Sequence, residues 1–119
     1  MTDTLATREA FEGLSDVGAP TRLHVKAWGR DVLLRDPPAS AREEWEAFTQ
    51  AHRGKPGAAP WRAKVAQLLL CDEAGKPLFT EDDLDFLGSR NASAMTDVFT
   101  AGVKLLAITD EEIAVLSGN

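Results

Sequence analysis

Few side chains in this chain are of types that do chemistry. The densest group lies in the run CDEAGKPLFTEDDLDFL, Cys71 to Leu87, which carries Asp72, Glu73, Glu81, Asp82, Asp83 and Asp85. Three uses are open to such acids: calcium ligation, acid–base catalysis, or capping of a helix. A calcium loop starting at Asp72 needs oxygen ligands at its third and fifth positions, glycine at the sixth and glutamate at the twelfth. Those positions hold Ala74, Lys76, Pro77 and Asp83, so the pattern fails. Catalysis by Asp82, Asp83 or Asp85 would need a raised carboxyl pKa, which a solvated first helical turn does not provide. Capping accounts for the residues best. Asp72 to Pro77 reads as a turn. Thr80 caps a helix with Asp83 at N3, Phe79 staples to Leu84, and Glu81 to Asp83 sit where the helix dipole favours negative charge.

The remaining reactive residues are scattered. His24 and His52 lack a partner at metal-ligand spacing and read as surface or boundary residues. Cys71, the sole cysteine, ends a leucine run and reads as a small buried apolar group, with no intrachain disulfide available to it. No phosphate-binding glycine loop and no nucleophile elbow occurs. The sequence therefore points to no catalytic, metal or cofactor residue. The two candidate functional residues are aromatic. Trp28 falls on the polar face of its strand, where it either covers a helix or anchors a partner. Phe86 lies off the Leu84–Leu87 stripe and is a candidate docking point.

The elements that position these residues follow from periodicity. TLATREAFEGL near the start is either a short helix or an arm, and Gly18 and Pro20 end it. TRLHVKAWGRDVLLRD alternates as a β-hairpin. Gly29-Arg30 is expected as its two-residue loop, pairing Ala27 with Val32 and Val25 with Leu34. A helix capped by Ser40, with Glu43 at N3, puts Ala41, Trp45, Phe48 and His52 on one face. RGKPGAAP is a turn between helices. Pro60 opens the next helix, which runs through the apolar residues to Cys71. Gly88 ends the helix that Thr80 starts. Ser89 or Asn91 then caps a long stripe of Met95, Val98, Phe99, Gly102, Leu105 and Leu106, in which Gly102 implies close approach by another helix. Thr109 caps a last helix, with Glu112 at N3 and an Ile108–Ile113 staple. The expected fold is α+β and predominantly helical: an arm or short helix over 1–20, then a single domain over 21–119 whose hairpin, 21–36, packs on four or five helices.

Composition narrows the function classes. Hydrophobic residues make up 44% and charged residues 27%, with a net charge of −6, all ordinary for a folded soluble chain. No apolar run is long enough to span a bilayer, and no secretory signal opens the sequence, so a cytoplasmic site and no membrane partner are expected. Residues 72–119 hold 10 acids and 3 bases, a balance of −7, while residues 1–71 hold 9 acids and 10 bases, a balance of +1. With no basic stripe, nucleic acid is not an expected partner. A helix-turn-helix over Thr80–Leu87 and the Asn91 helix is the alternative class, but its second helix opens on Ala, Ser, Met and Asp, which are not the usual base readers.

Three runs in order carry a family likeness: VKAWGRDVLLR (Val25 to Arg35), LLCDEAGKPLFTEDDL (Leu69 to Leu84) and SAMTDVFTAGVKLLAITDEE (Ser93 to Glu112). Over residues 21–117 the sequence resembles the small tail assembly chaperones of tailed bacteriophages and related prophages. The resemblance implies a non-enzymatic protein without a cofactor. It would bind the hydrophobic tape measure protein, keep it soluble and help recruit tail tube subunits. Self-association or client binding through apolar surface is then expected, in the cytoplasm of the bacterial host and outside the mature virion. No functional residue carries over from the family.

Overall fold

A computed structural model describes residues 4–117. The chain is α+β and predominantly helical, as expected. Its elements run α1 (Arg8–Glu12), β1 (Thr21–Val25), β2 (Arg30–Leu34), α2 (Ala39–His52), α3 (Trp61–Leu69), β3 (Leu70–Cys71), α4 (Leu84–Gly88), α5 (Ala92–Leu106) and α6 (Asp110–Leu116). Single 3-10 turns, Lys26–Trp28 and Glu81–Asp83, precede β2 and α4.

The sheet is antiparallel, in the order β1-β2-β3. Its register differs from the one expected. Leu23 pairs with Val32, and Val25 with Arg30, so β1 stops before Ala27. Lys26 to Trp28 coil into the 3-10 turn, and Gly29 reverses the chain at φ 60°, a left-handed conformation that glycine adopts at no steric cost. The connection is thus four residues long and not the two-residue Gly29-Arg30 loop. The apolar face survives because the shift is by an even number of positions: Val25 and Leu34 are fully buried.

The third strand is the second difference. The apolar run LLLC reads equally as helix end or buried strand by periodicity. The helix stops at Leu69, and Leu70 and Cys71 turn to pair with Leu34 and Leu33. Arg35 closes this corner, its backbone N–H donating to the Leu69 carbonyl at 2.8 Å and its Nε to that of Leu68 at 2.6 Å.

Two helix starts also move. α2 begins at Ala39 with Pro38 as its N-cap and no side-chain cap, so the Ser40–Glu43 capping box does not form. Pro38 is extended at ψ 165° and caps two positions ahead of Ser40, which falls inside the first turn. Pro60 likewise stands as the N-cap of α3, one residue before the first helical position.

α3 lies at the centre, with every residue from Ala63 to Leu69 buried. α5 packs along it, and α4 and α2 flank it. Gly102 makes the α3–α5 contact close, as its pattern implied: a Cβ there would run into Val65 Cγ1 and lie 3.0 Å from Leu69 Cδ1. The hydrophobic core joins Val25, Leu34, Trp45, Val65, Leu68, Leu69, Leu87, Val98, Leu106 and Leu116, which brings the sheet and α2 to α6 into one cluster.

Candidate functional site

The acidic run folds as its local chemistry requires. Asp72 Oδ1 accepts from the backbone N–H of Ala74 and of Lys76, both at 2.9 Å. Gly75 supplies φ 80°, and Leu78 N–H returns to the Leu70 carbonyl at 2.9 Å. The segment is a small turn that brings the chain back to β3. Thr80 N–H then donates to Asp83 Oδ2 at 2.8 Å, half of the capping box read from the sequence. Glu81, Asp82 and Asp85 stay exposed. Among the described residues, no group of three or more His, Cys, Asp or Glu side chains is placed to hold a metal.

This turn and α4 together present apolar surface. Leu78 is 57% exposed and Phe86 50% exposed. Phe79, half-buried on the core, bridges toward Phe86 with ring centroids 6.1 Å apart. The Arg90 guanidinium lies over the Phe86 ring at 4.4 Å, held by its Nε to the Phe86 carbonyl and by its terminal nitrogen to Ser89 Oγ. The arrangement is an aromatic ledge with an acidic edge (Glu81, Asp82, Asp85) and one stacked arginine. Such a surface can bury an apolar segment and still keep its surroundings hydrated.

Trp28 has a different setting. The 3-10 turn that carries it packs against α5, and the side chain is half-buried on the core. Of its two readings, covering a helix is the one its position matches. Trp28 and Phe86 thus sit on different elements among different neighbours. Trp45 is fully buried, and Trp61 is half-buried with its ring edge-on to Phe99 at 4.6 Å.

Polar groups missed by sequence reasoning cluster elsewhere. Glu112, besides capping α6, accepts from Arg42 Nη2 through both oxygens at 3.1 Å and from Trp45 Nε1 at 3.0 Å. Arg42 also reaches the Leu106 carbonyl at 3.0 Å. Burial pushes the Glu112 carboxyl up, but the Thr109 backbone N–H and the Arg42 guanidinium outweigh it and hold the pKa below the usual range. A buried tryptophan must place its indole N–H, which is the one sequence signal that pointed to an acceptor near Trp45. Lys64 is only 2% exposed and pairs with Glu44 at 2.9 Å. The hydrogen bond from Lys64 lowers the Glu44 pKa despite desolvation. Asp31 accepts from His24 at 2.7 Å and Arg22 at 3.0 Å, and these two bonds lower its pKa in that order. The Cys71 thiol is buried, and that burial, followed by Asp72, raises its pKa.

These displacements bear on catalysis. The three carboxyls that move, Asp31, Glu44 and Glu112, all move downward, away from what a general acid needs at neutral pH. The helix-turn-helix alternative meets a comparable difficulty. Ala94, Met95, Val98, Phe99, Gly102 and Leu106 commit one face of α5 to the core. Its outer face shows Thr96, Asp97, Thr100 and Lys104, one acid and one base, which is no phosphate-binding surface.

No family model matches the chain, and no curated protein matches it. Among solved structures, the fold is similar to one described as the structure of bacteriophage HK97 tail assembly chaperone, with a TM-score of 0.57 and 19% sequence identity, covering 86% of this chain and 95% of that one. At that identity the likeness is one of fold, and it extends over nearly the whole of the other chain.

Proposed function

We propose that this chain is a tail assembly chaperone of a long-tailed phage or prophage. It binds the tape measure protein, keeps that long apolar client soluble and helps recruit tail tube subunits, without catalysis and without a cofactor. The observation that carries the reading is the shared fold with the HK97 tail assembly chaperone over 86% of the chain, met independently by the three sequence runs between Val25 and Glu112. The ledge of Leu78, Phe79 and Phe86 supplies an apolar contact of the kind a client segment buries, and the net charge of −6 opposes aggregation of a complex with such a client. Phe86 is the residue assigned to the client contact. Trp28, half-buried, would contribute only through its exposed edge.

The test is co-expression with a tape measure segment encoded beside this chain. The segment should partition into the soluble fraction when the chain is present and into the pellet when it is absent. An insoluble segment in both cases would overturn the proposal.

A further inference from the structure

The cleft between α2 and α3 holds polar capacity that the fold does not use. It measures ≈360 Å³, a size that takes a small ligand or one long side chain. Glu44, Ala47, Phe48, His52, Glu81 and Leu84 are among its walls. Lys64 also lines it, although it is only 2% exposed. The Lys64 ammonium donates to Glu44 Oε2 at 2.9 Å, and Gln67 Nε2 donates to the same oxygen at 3.4 Å. Both bonds fall on Oε2, so Glu44 Oε1 is left to accept from another donor. Gln67 is 7% exposed, and its Oε1 has no hydrogen-bond partner among the described residues. A buried acceptor of this kind calls for a donor. His52 Nδ1 lies 2.8 Å from the Phe48 carbonyl. A carbonyl only accepts, so Nδ1 carries the proton, and Nε2 of the neutral ring is one more acceptor.

The unused groups set the charge of what can enter. Glu44 and Glu81 against Lys64 are two acids less one base, a balance of −1 along the walls. The one ammonium is already matched by Glu44, so an anion gains little there and a cation gains Glu81. The Phe48 and His52 rings, 4.5 Å apart, add aromatic faces that attract a cation. A guanidinium suits these walls best, with its donors in one plane and an apolar stem behind them. Glu81 also edges the aromatic ledge. The helix α4 lies between the two surfaces, with Leu84 on the cleft and Phe86 on the ledge.

We propose that the cleft receives a basic side chain of the client segment, arginine in preference to lysine, while apolar neighbours of that residue lie on the ledge; the inference rests on the client reading above. The stem runs along Ala47 and Leu84, and the charged head takes Glu44 Oε1 and Glu81. The site thus selects among apolar segments, which the ledge alone would not do. It also sets a spacing. Crossing a helix of about 10–12 Å takes about three or four residues of extended chain, so the basic residue stands about that far from its apolar anchor.

The experiment is calorimetric titration of the full chain with a soluble fusion of the neighbouring tape measure segment, each arginine and lysine of the segment being replaced by glutamine in turn. At least one replacement should weaken binding to wild type about tenfold, at a position about three or four residues from an apolar side chain. Added salt should weaken the original segment more than that variant segment. Two variants of this chain complete the test. Ala47→Phe fills the cleft without a change of charge, and Glu81→Gln removes a carboxylate. Both positions are exposed, and unchanged circular dichroism melts verify that the variants fold. Each should bind the original segment more weakly than wild type does, and Ala47→Phe should no longer distinguish it from the glutamine-substituted one. A wild type that binds the segment equally well after every replacement, or an Ala47→Phe chain that still tells the two segments apart, would overturn this inference and leave client binding standing. A wild type that does not bind the original segment would overturn both together.

Discussion

Arg42 and Glu112, seventy residues apart, meet through two hydrogen bonds of 3.1 Å that fasten α6 to α2. The same carboxylate takes the Trp45 indole N–H at 3.0 Å and the Thr109 backbone N–H at 3.0 Å. Glu112 therefore both starts its own helix and docks it. Removing it leaves a buried indole donor and a half-buried guanidinium without their acceptor, and opens the cap. Glu112→Ala should cost about 2–3 kcal/mol, combining a lost charged hydrogen-bond network with a lost cap. For a chain of this size that lowers the melting temperature by roughly 10–15 °C, measurable by circular dichroism.

The same contact sets a pH dependence. The Glu112 carboxyl is held below its ordinary value of 4.5 in the folded chain. A depressed carboxyl contributes stability that is present above the unfolded pKa and is lost as pH falls through the folded one. Wild type should lose stability on acidification below the model-peptide range more steeply than Glu112→Gln, whose amide does not titrate there. Urea midpoints between pH 7 and pH 3 would show the two curves converging.

Gly102 reports on the α3–α5 contact. A Cβ at this position runs into Val65 Cγ1, and Val65 is fully buried with a stiff β-branched side chain. Gly102→Ala should destabilise the chain by about 1–3 kcal/mol through overpacking, reversing the roughly 1 kcal/mol gain that alanine brings to an ordinary helix site. Val65→Ala also destabilises, by opening a cavity. The double variant should be less unstable than the two single costs added, as residues in contact require.

Lys64 and Glu44 should behave asymmetrically. Lys64 is buried and Glu44 is about half exposed. Glu44→Ala strands a buried ammonium and should lower the urea midpoint, at a cost of about 2–4 kcal/mol. Lys64→Met removes the buried charge itself, fills similar space beside Phe48 and should leave the midpoint near wild type.

Cys71 should be silent in the native chain. Its thiol is buried at the β3 edge, with a raised pKa, and the thiolate is the reactive form. Labelling by a disulfide reagent at neutral pH should be slow without denaturant and become rapid across the unfolding transition.

What could be read from sequence divides by range. The Thr80–Asp83 and Thr109–Glu112 caps, the Asp72 turn and the burial of Gly102 depend on residues a few positions apart or on one helical face, and all are found. The hairpin was legible in its faces but not in its register. WGR looks like a two-residue turn, and only the misfit of Trp28 on a polar face hinted that the strand ends earlier. β3 is two residues inside an apolar run and has no periodic signature; its pairing is decided by where β2 lies. The Arg42–Glu112–Trp45 network and the Glu44–Lys64 pair were invisible for the same reason, since they depend on how helices dock across 20 to 70 positions. For the candidate surface, the placement of Phe86 off its stripe identified it as exposed. The neighbouring Leu78 and the stacked Arg90 required the fold.

The most direct test of the chaperone reading measures complex formation. The full chain, wild type or Phe86→Ser, is passed over size exclusion with light scattering together with a soluble fusion of the neighbouring tape measure segment. The account predicts a saturable co-eluting complex with wild type, and affinity weakened about tenfold or more in Phe86→Ser, equivalent to about 1.4 kcal/mol, with an unchanged melting temperature. Segment and chain eluting separately at all concentrations would contradict it.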